Sequence, residues 1–149
     1  VTLVIERLDP LDDAAGIPWH PSGPGDGEEV AMSAAVQGIP TWLVLIDGVA
    51  VGACGLHDVI GDEEPRAVEI GYGLVAAARG RGLGTQVVGS LLEELRALDV
   101  DVVTAEVELD SHDAASASAS QAILRGLGFD DLGEVVYPSG RSRRFARSL

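Results

Sequence analysis

The stretch AAARGRGLGTQ, residues 76–86, sets two arginines among three glycines in a chain that carries 24 Asp and Glu against 10 basic residues. A basic, glycine-rich turn in so acidic a chain must have a particular job. Just before it, AVEIGYGL (residues 67–74) alternates as a strand, with Val68, Ile70, Tyr72 and Leu74 on one face and Ala67, Glu69, Gly71 and Gly73 on the other. Three tiny residues around a carboxylate leave space beside that strand for a ligand or another backbone. Just after it, Val87, Val88, Leu91, Leu92, Leu95 and Leu98 recur at helical spacing, while Glu93, Glu94 and Arg96 take the wet side. The order is therefore strand, glycine turn, amphipathic helix. Unpaired N–H groups and the positive helix end point into such a turn, and glycines let an anion approach the backbone. The turn is suited to phosphate. Which phosphate ligand stays open on these residues alone: Gly80-Arg81-Gly82-Leu83-Gly84 lacks the dinucleotide spacing G-x-G-x-x-G, and no Gly-Lys-Ser/Thr follows to make a nucleotide triphosphatase loop. An isolated G-x-G is by itself more often a turn whose glycines serve conformation only.

TWLVLIDGVAVGACGLHDVI (residues 41–60) is two β-rich runs joined at Asp47-Gly48, a strong hairpin signal. Residues 1–8 read as a first strand, and DPLDD after them as a turn with helix-starting acids. Residues 16–29 are loop-like, with three prolines and four glycines, and lead to a short helical stretch over 28–38. VDVVTAEVEL (residues 100–109) alternates as a fifth strand. DAASASASQAILRGLGF (residues 113–129) reads as a helix ended near Gly126 or Gly128, although the Ala-Ser repeat at 115–120 would also suit a flexible linker. The tail closes as a hairpin turned at Pro138-Ser139-Gly140.

With 149 residues, 46% apolar and 23% charged, the chain has the size and composition of one globular domain over residues 1–149. A formal net charge of −14 disfavours nucleic acid as a partner and favours a cationic small one. All ten basic residues are Arg. The single cysteine, Cys54, excludes an internal disulfide and a cysteine zinc cluster, and it reads as a buried structural thiol. His20, His57 and His112 share no metal-ligand spacing, so no metal is expected. No apolar run is long enough to span a bilayer and no signal pattern opens the chain, so a cytoplasmic location without membrane contact is expected. The chain opens on Val1 without Met, which leaves a trimmed start open.

The neighbours of the turn decide its ligand. The sequence resembles the GNAT superfamily of acyl-CoA-dependent N-acetyltransferases, whose signature Q/R-x-x-G-x-G/A lies between the fourth strand and the third helix. Arg79, Gly82 and Gly84 match it, and EIGYGL upstream and SQAILRGLGF downstream match the flanking patterns, in order from Thr41 to Phe129. The resemblance implies a mixed α/β fold, a largely antiparallel sheet of six or seven strands with helices on both faces and a V-shaped splay between strands four and five. It also implies acetyl-CoA as co-substrate. Backbone around Leu74, Val75 and Ala76 would hold the pantetheine arm, and Arg79, Gly80, Arg81, Gly82, Leu83, Gly84 and Thr85 the pyrophosphate. Glu69 stands where several family members carry the general base.

Two departures from the pattern concern the acid. Ala117 stands where the family often has Asn, and Leu124 where it often has the Tyr that protonates the leaving thiolate. Asp113-Ala114-Ala115-Ser116 resembles the usual helix start four residues early, which implies one extra helical turn. Ser120 or Tyr137 could donate instead. The expected activity is acetyl transfer to a primary amine, small-molecule or peptide-terminal, by direct attack. Asp26, Glu28 and Glu29 would favour a cationic acceptor. The alternative is a catalytically silent acyl-CoA sensor or dimerisation module, and a homodimer is left open.

Overall fold

The computed structural model describes residues 2–8, 18–21, 37–110 and 113–149. Seven strands form one sheet: β1 (Leu3–Arg7), β2 (Thr41–Ile46), β3 (Val49–Leu56), β4 (Ala67–Leu74), β5 (Val102–Glu108), β6 (Asp130–Tyr137) and β7 (Gly140–Ser148), in the order β1-β2-β3-β4-β5-β7-β6. Every neighbouring pair is antiparallel except β4 with β5. The β2–β3 hairpin turns at Asp47 and Gly48, both with positive φ (50° and 83°), the backbone a two-residue hairpin loop demands.

Two helices are described, α1 (Leu83–Ala97) and α2 (Ala114–Gly126). The apolar stripe of α1, Val87, Val88, Leu91, Leu92 and Leu95, is fully buried and shares one core with Trp42 and Val44 of β2, Val68 and Ile70 of β4, Val103 and Ala105 of β5, and Phe145 of β7. α2 adds Ala117 and Leu124 to that same core. The Ala-Ser repeat is therefore helical and not a linker. Asp113 starts it, its Oδ1 accepting the Ser116 N–H at 2.9 Å, at the helix start read from the sequence. The opposite face of the sheet carries a smaller buried cluster of Leu8, Leu43, Leu45 and Ala50. The stretch expected to be helical over 28–38 lies outside the described residues.

Cys54 is buried in the main core, and desolvation pushes its thiol up to about 12. A thiol held protonated is a core side chain and no nucleophile.

Candidate active site

The site begins as a defect in the sheet. The Val75 N–H donates to the Val51 carbonyl at 2.8 Å and the His57 N–H to the Glu69 carbonyl at 3.0 Å, with Gly73 facing Ala53 and Gly71 facing Gly55 between them. Bonded and unbonded pairs alternate in an antiparallel ladder, so Tyr72 and Leu74 must turn their N–H and C=O groups the other way, toward β5. β5 is not there to meet them. It pairs with β4 only at Ala67/Val102, Val68/Val103 and Glu69/Thr104, and then follows β7 away. A cavity of about 270 Å³ fills the notch, bounded by Ile70, Gly71 and Tyr72 on one strand, Ala105 to Glu108 on the other, and Ser116, Ser120 and Leu124 of α2. The backbone of Tyr72 and Leu74 thus faces an open slot in the middle of the sheet.

At the end of that slot lies the glycine turn. A 3-10 turn (Ala76–Ala78) follows β4, then Gly80 and Gly82 with φ of 76° and 72°. These are left-handed positions that a side chain would strain. Gly82 is the N-cap of α1, which has no side-chain cap and no acidic residue in its first turn. Its first N–H groups are therefore left for an outside acceptor, with the positive end of the helix behind them. Arg81 is exposed beside them. Arg79 is held: its Nε donates to the Leu74 carbonyl at 3.0 Å, and its Nη1 lies 3.4 Å from Asp113 Oδ2. It braces the turn against the start of α2.

On the far side of the sheet a second cavity, about 310 Å³, opens over Glu69, Glu106, Glu108, Asp110, Tyr137 and Arg141. Four carboxylates face the Arg141 guanidinium there, and Arg144 Nε lies 3.4 Å from Glu106 Oε1. Asp110 is bound by Arg141 through its side chain (2.9 Å) and its N–H (2.7 Å), and these bonds lower the Asp110 pKa. The Tyr137 hydroxyl donates to Glu106 Oε1 at 2.5 Å; that bond raises its pKa, and burial and the Glu106 charge add to it. The Glu108 side chain has no hydrogen-bond or ion-pair partner among the described residues. His57, Glu106 and Glu108 line both cavities, so they frame the passage between notch and acidic chamber.

The residues singled out by sequence divide between these spaces. Glu69 and Tyr137 come together in the acidic chamber, and Ser120 lies in the notch. Leu74 and Ala76 stand at the end of the slot. Val75 is spoken for, its N–H bonded to β3 and its side chain buried in the core, as is the side chain of Leu83. Gly84 has a packing reason of its own, since a Cβ there would meet Ile123 Cδ1 at 2.5 Å. Thr85 is exposed in the first turn of α1. Asp26, Glu28 and Glu29 fall outside the described residues.

Two side chains with evident chemistry had no role in the sequence reading. His57 Nδ1 lies 2.9 Å from Glu69 Oε2. Tyr72, which lines the notch, has its hydroxyl buried beside Ser120, close enough to feel that side chain but outside hydrogen-bond geometry. Burial raises the Tyr72 pKa and Ser120 opposes this only in part, so the group stays a proton donor at neutral pH. The presence of two glycines alternating with Glu69 was visible in the sequence. That one of them accommodates a histidine ring was not.

The model of the Acetyltransferase (GNAT) family matches residues 11–129. No curated protein matches the chain. Among solved structures, yncA of Salmonella typhimurium, a putative acetyltransferase with its cofactor acetyl-CoA, aligns at 21% identity and a TM-score of 0.68, covering 99% of this chain and 94% of that one. RimL, a ribosomal L7/L12 alpha-N-protein acetyltransferase in complex with coenzyme A, aligns at 19% identity and 0.65, covering 81% and 68%. AAC(6')-Ib in complex with paromomycin and acetyl-CoA aligns at 15% identity and 0.67, covering 99% and 94%. At these identities the likeness is one of fold.

Proposed function

The chain belongs to the GNAT acetyltransferase family, and on that premise we propose that it moves the acetyl group of acetyl-CoA to a primary amine that carries positive charge. The observation that carries this reading is the parting of β4 from β5 beyond Glu69, which leaves the N–H groups of Tyr72 and Leu74 aimed into a slot that ends at an uncapped, glycine-led helix. A pantetheine amide arm needs strand-like hydrogen bonds along its length and a pyrophosphate needs clustered N–H donors at its end. The slot has both in that order.

Acetyl-CoA supplies the thioester carbonyl and a thiol leaving group. The N–H groups at the start of α1, with Arg81 beside them, hold the pyrophosphate. The Leu74 N–H is placed to stabilise negative charge on the carbonyl oxygen. Tyr72, Ser116 and Ser120 bring hydroxyls to the notch, and Tyr72 supplies the proton that Leu124, an alkyl side chain, cannot. Tyr137, bonded to Glu106 on the other side of the passage, orients that carboxylate. The incoming ammonium must give up a proton in the chamber where Glu69 lies, since only the neutral amine has a lone pair for attack. The chamber's four carboxylates draw a cation toward it, and small and peptide-terminal amines both fit that charge.

The test is stabilisation by acetyl-CoA in a thermal melt, followed by acetyl transfer to a panel of cationic, neutral and anionic amines. Acetyl-CoA should raise Tm where NAD and ATP do not, and cationic amines should be the best acceptors. Equal stabilisation by NAD would end the reading. Binding without turnover of any amine would favour the silent sensor.

A further inference from the structure

We propose that His57 is the group that takes the acceptor's proton, that Glu69 acts through it as a positioning residue, and that Gly71 is glycine because the imidazole lies on it. The inference deepens the acetyltransferase reading and rests on it.

His57 follows β3 directly, and the β3–β4 register brings it beside two residues of β4. Its backbone N–H donates to the Glu69 carbonyl at 3.0 Å, and its Nδ1 lies 2.9 Å from Glu69 Oε2. A carboxylate only accepts, so Nδ1 carries the proton and Nε2 the lone pair. Among the described residues Nε2 has no hydrogen-bond partner. A Cβ added to Gly71 would sit 2.8 Å from Nε2 and 3.5 Å from Cδ2, so the ring occupies the space a side chain there would need. Gly71 has no left-handed backbone to explain it, and the His57 ring takes the place its side chain would have.

Position separates the two candidates. His57 lines both the notch and the acidic chamber, whereas Glu69 lines only the chamber. The amine must lose its proton where it meets the thioester, at the passage between them. The ammonium N–H bond breaks and its proton passes to Nε2, giving an imidazolium held by Glu69. The freed lone pair forms the C–N bond as the C–S bond breaks, the second amine proton is lost to solvent, the sulfur leaves as thiol with the proton from Tyr72, which is restored from water, and the imidazolium then returns its proton to solvent.

The experiment compares His57→Gln, Glu69→Gln and Gly71→Ala for kcat/KM against pH, for acetyl-CoA affinity, and for the tautomer of His57 read from imidazole nitrogen resonances of the free protein. The wild type should show the Nδ1–H tautomer, and Glu69→Gln should mix it. His57→Gln should lower kcat/KM on the order of 10²-fold at neutral pH and remove the acid limb of the profile. Glu69→Gln should lose less and keep that limb. Gly71→Ala, with both side chains intact, should displace the ring and lose about 10-fold or more. Acetyl-CoA affinity should be unchanged in all three. A His57→Gln variant within about threefold of wild type beside a Glu69→Gln variant down 10²-fold would overturn the proposal and return the base to Glu69. Wild-type protein that neither binds nor uses acetyl-CoA would overturn the underlying reading instead, and with it this one.

Discussion

Ile123 of α2 fills the place that a side chain on Gly84 would need, its Cδ1 lying 2.5 Å from where a Cβ would be built. The last glycine of the turn thus lets two helices meet, whatever the turn binds. Gly84→Ala should set overpacking, about 1–3 kcal/mol, against the helix propensity gained over glycine, about 0.5–1 kcal/mol, and come out destabilising. In an Ile123→Val background, where the offending methyl is gone, the same change should stabilise. Urea denaturation of the four proteins in this cycle checks it. An equal effect of Gly84→Ala in both backgrounds would show that Ile123 is not the constraint.

Tyr72→Phe should act with opposite sign on the free and liganded protein. A buried hydroxyl without a partner costs about 1–3 kcal/mol, so its removal should raise the Tm of the free protein. The added stabilisation by CoA should fall, and the thiol of bound CoA should ionise at higher pH than in the wild type, followed by thiolate absorbance. A Tyr72→Phe protein with unchanged CoA stabilisation and thiol ionisation would remove Tyr72 from the mechanism and leave Ser120 as the donor.

Asp131 ties the end of α2 to the β6–β7 hairpin. It accepts the Gly133 N–H at 2.9 Å, Arg125 at 3.0 Å and Arg143 at 2.9 Å, and these bonds, that of Gly133 first, hold its pKa at about 2 instead of the usual 3.8. A depressed carboxyl contributes stability that is complete above its unfolded pKa and is lost as pH falls through the folded one. Asp131→Asn should therefore be less stable than wild type at neutral pH, with a gap that narrows between about pH 4 and pH 2. Denaturation midpoints measured down that range check it, and a gap that stays constant would deny the carboxylate this role.

The strands and helices were legible in the sequence because their signals are local. AVEIGYGL is read with its observed limits because its apolar residues alternate without interruption, and Asp47-Gly48 announces its hairpin through backbone conformation alone. The α2 start was legible from Asp113, a cap whose partner is three residues away. The site was legible only where chemistry and chain order coincide, at the glycine turn. Its other half depends on register. His57 and Glu69 meet because two strands pair with one particular offset, and Tyr72 becomes a notch residue only because β5 leaves. Glu106 and Glu108 read simply as the wet face of a strand until Tyr137 and Arg141 arrive from a hairpin some thirty residues later.

Three register pairs are all that join β4 to β5, so the amides of Tyr72 and Leu74, though central in a seven-stranded sheet, are exposed in the manner of an edge strand. In the free protein they should exchange with solvent deuterium quickly, while those of Gly71 and Gly73, bonded to β3, exchange slowly. A molecule laid along β4 would close that edge as another strand does. Residue-by-residue amide protection along this one strand, alternating without ligand and uniform with it, therefore reports occupancy of the slot without any reaction being followed.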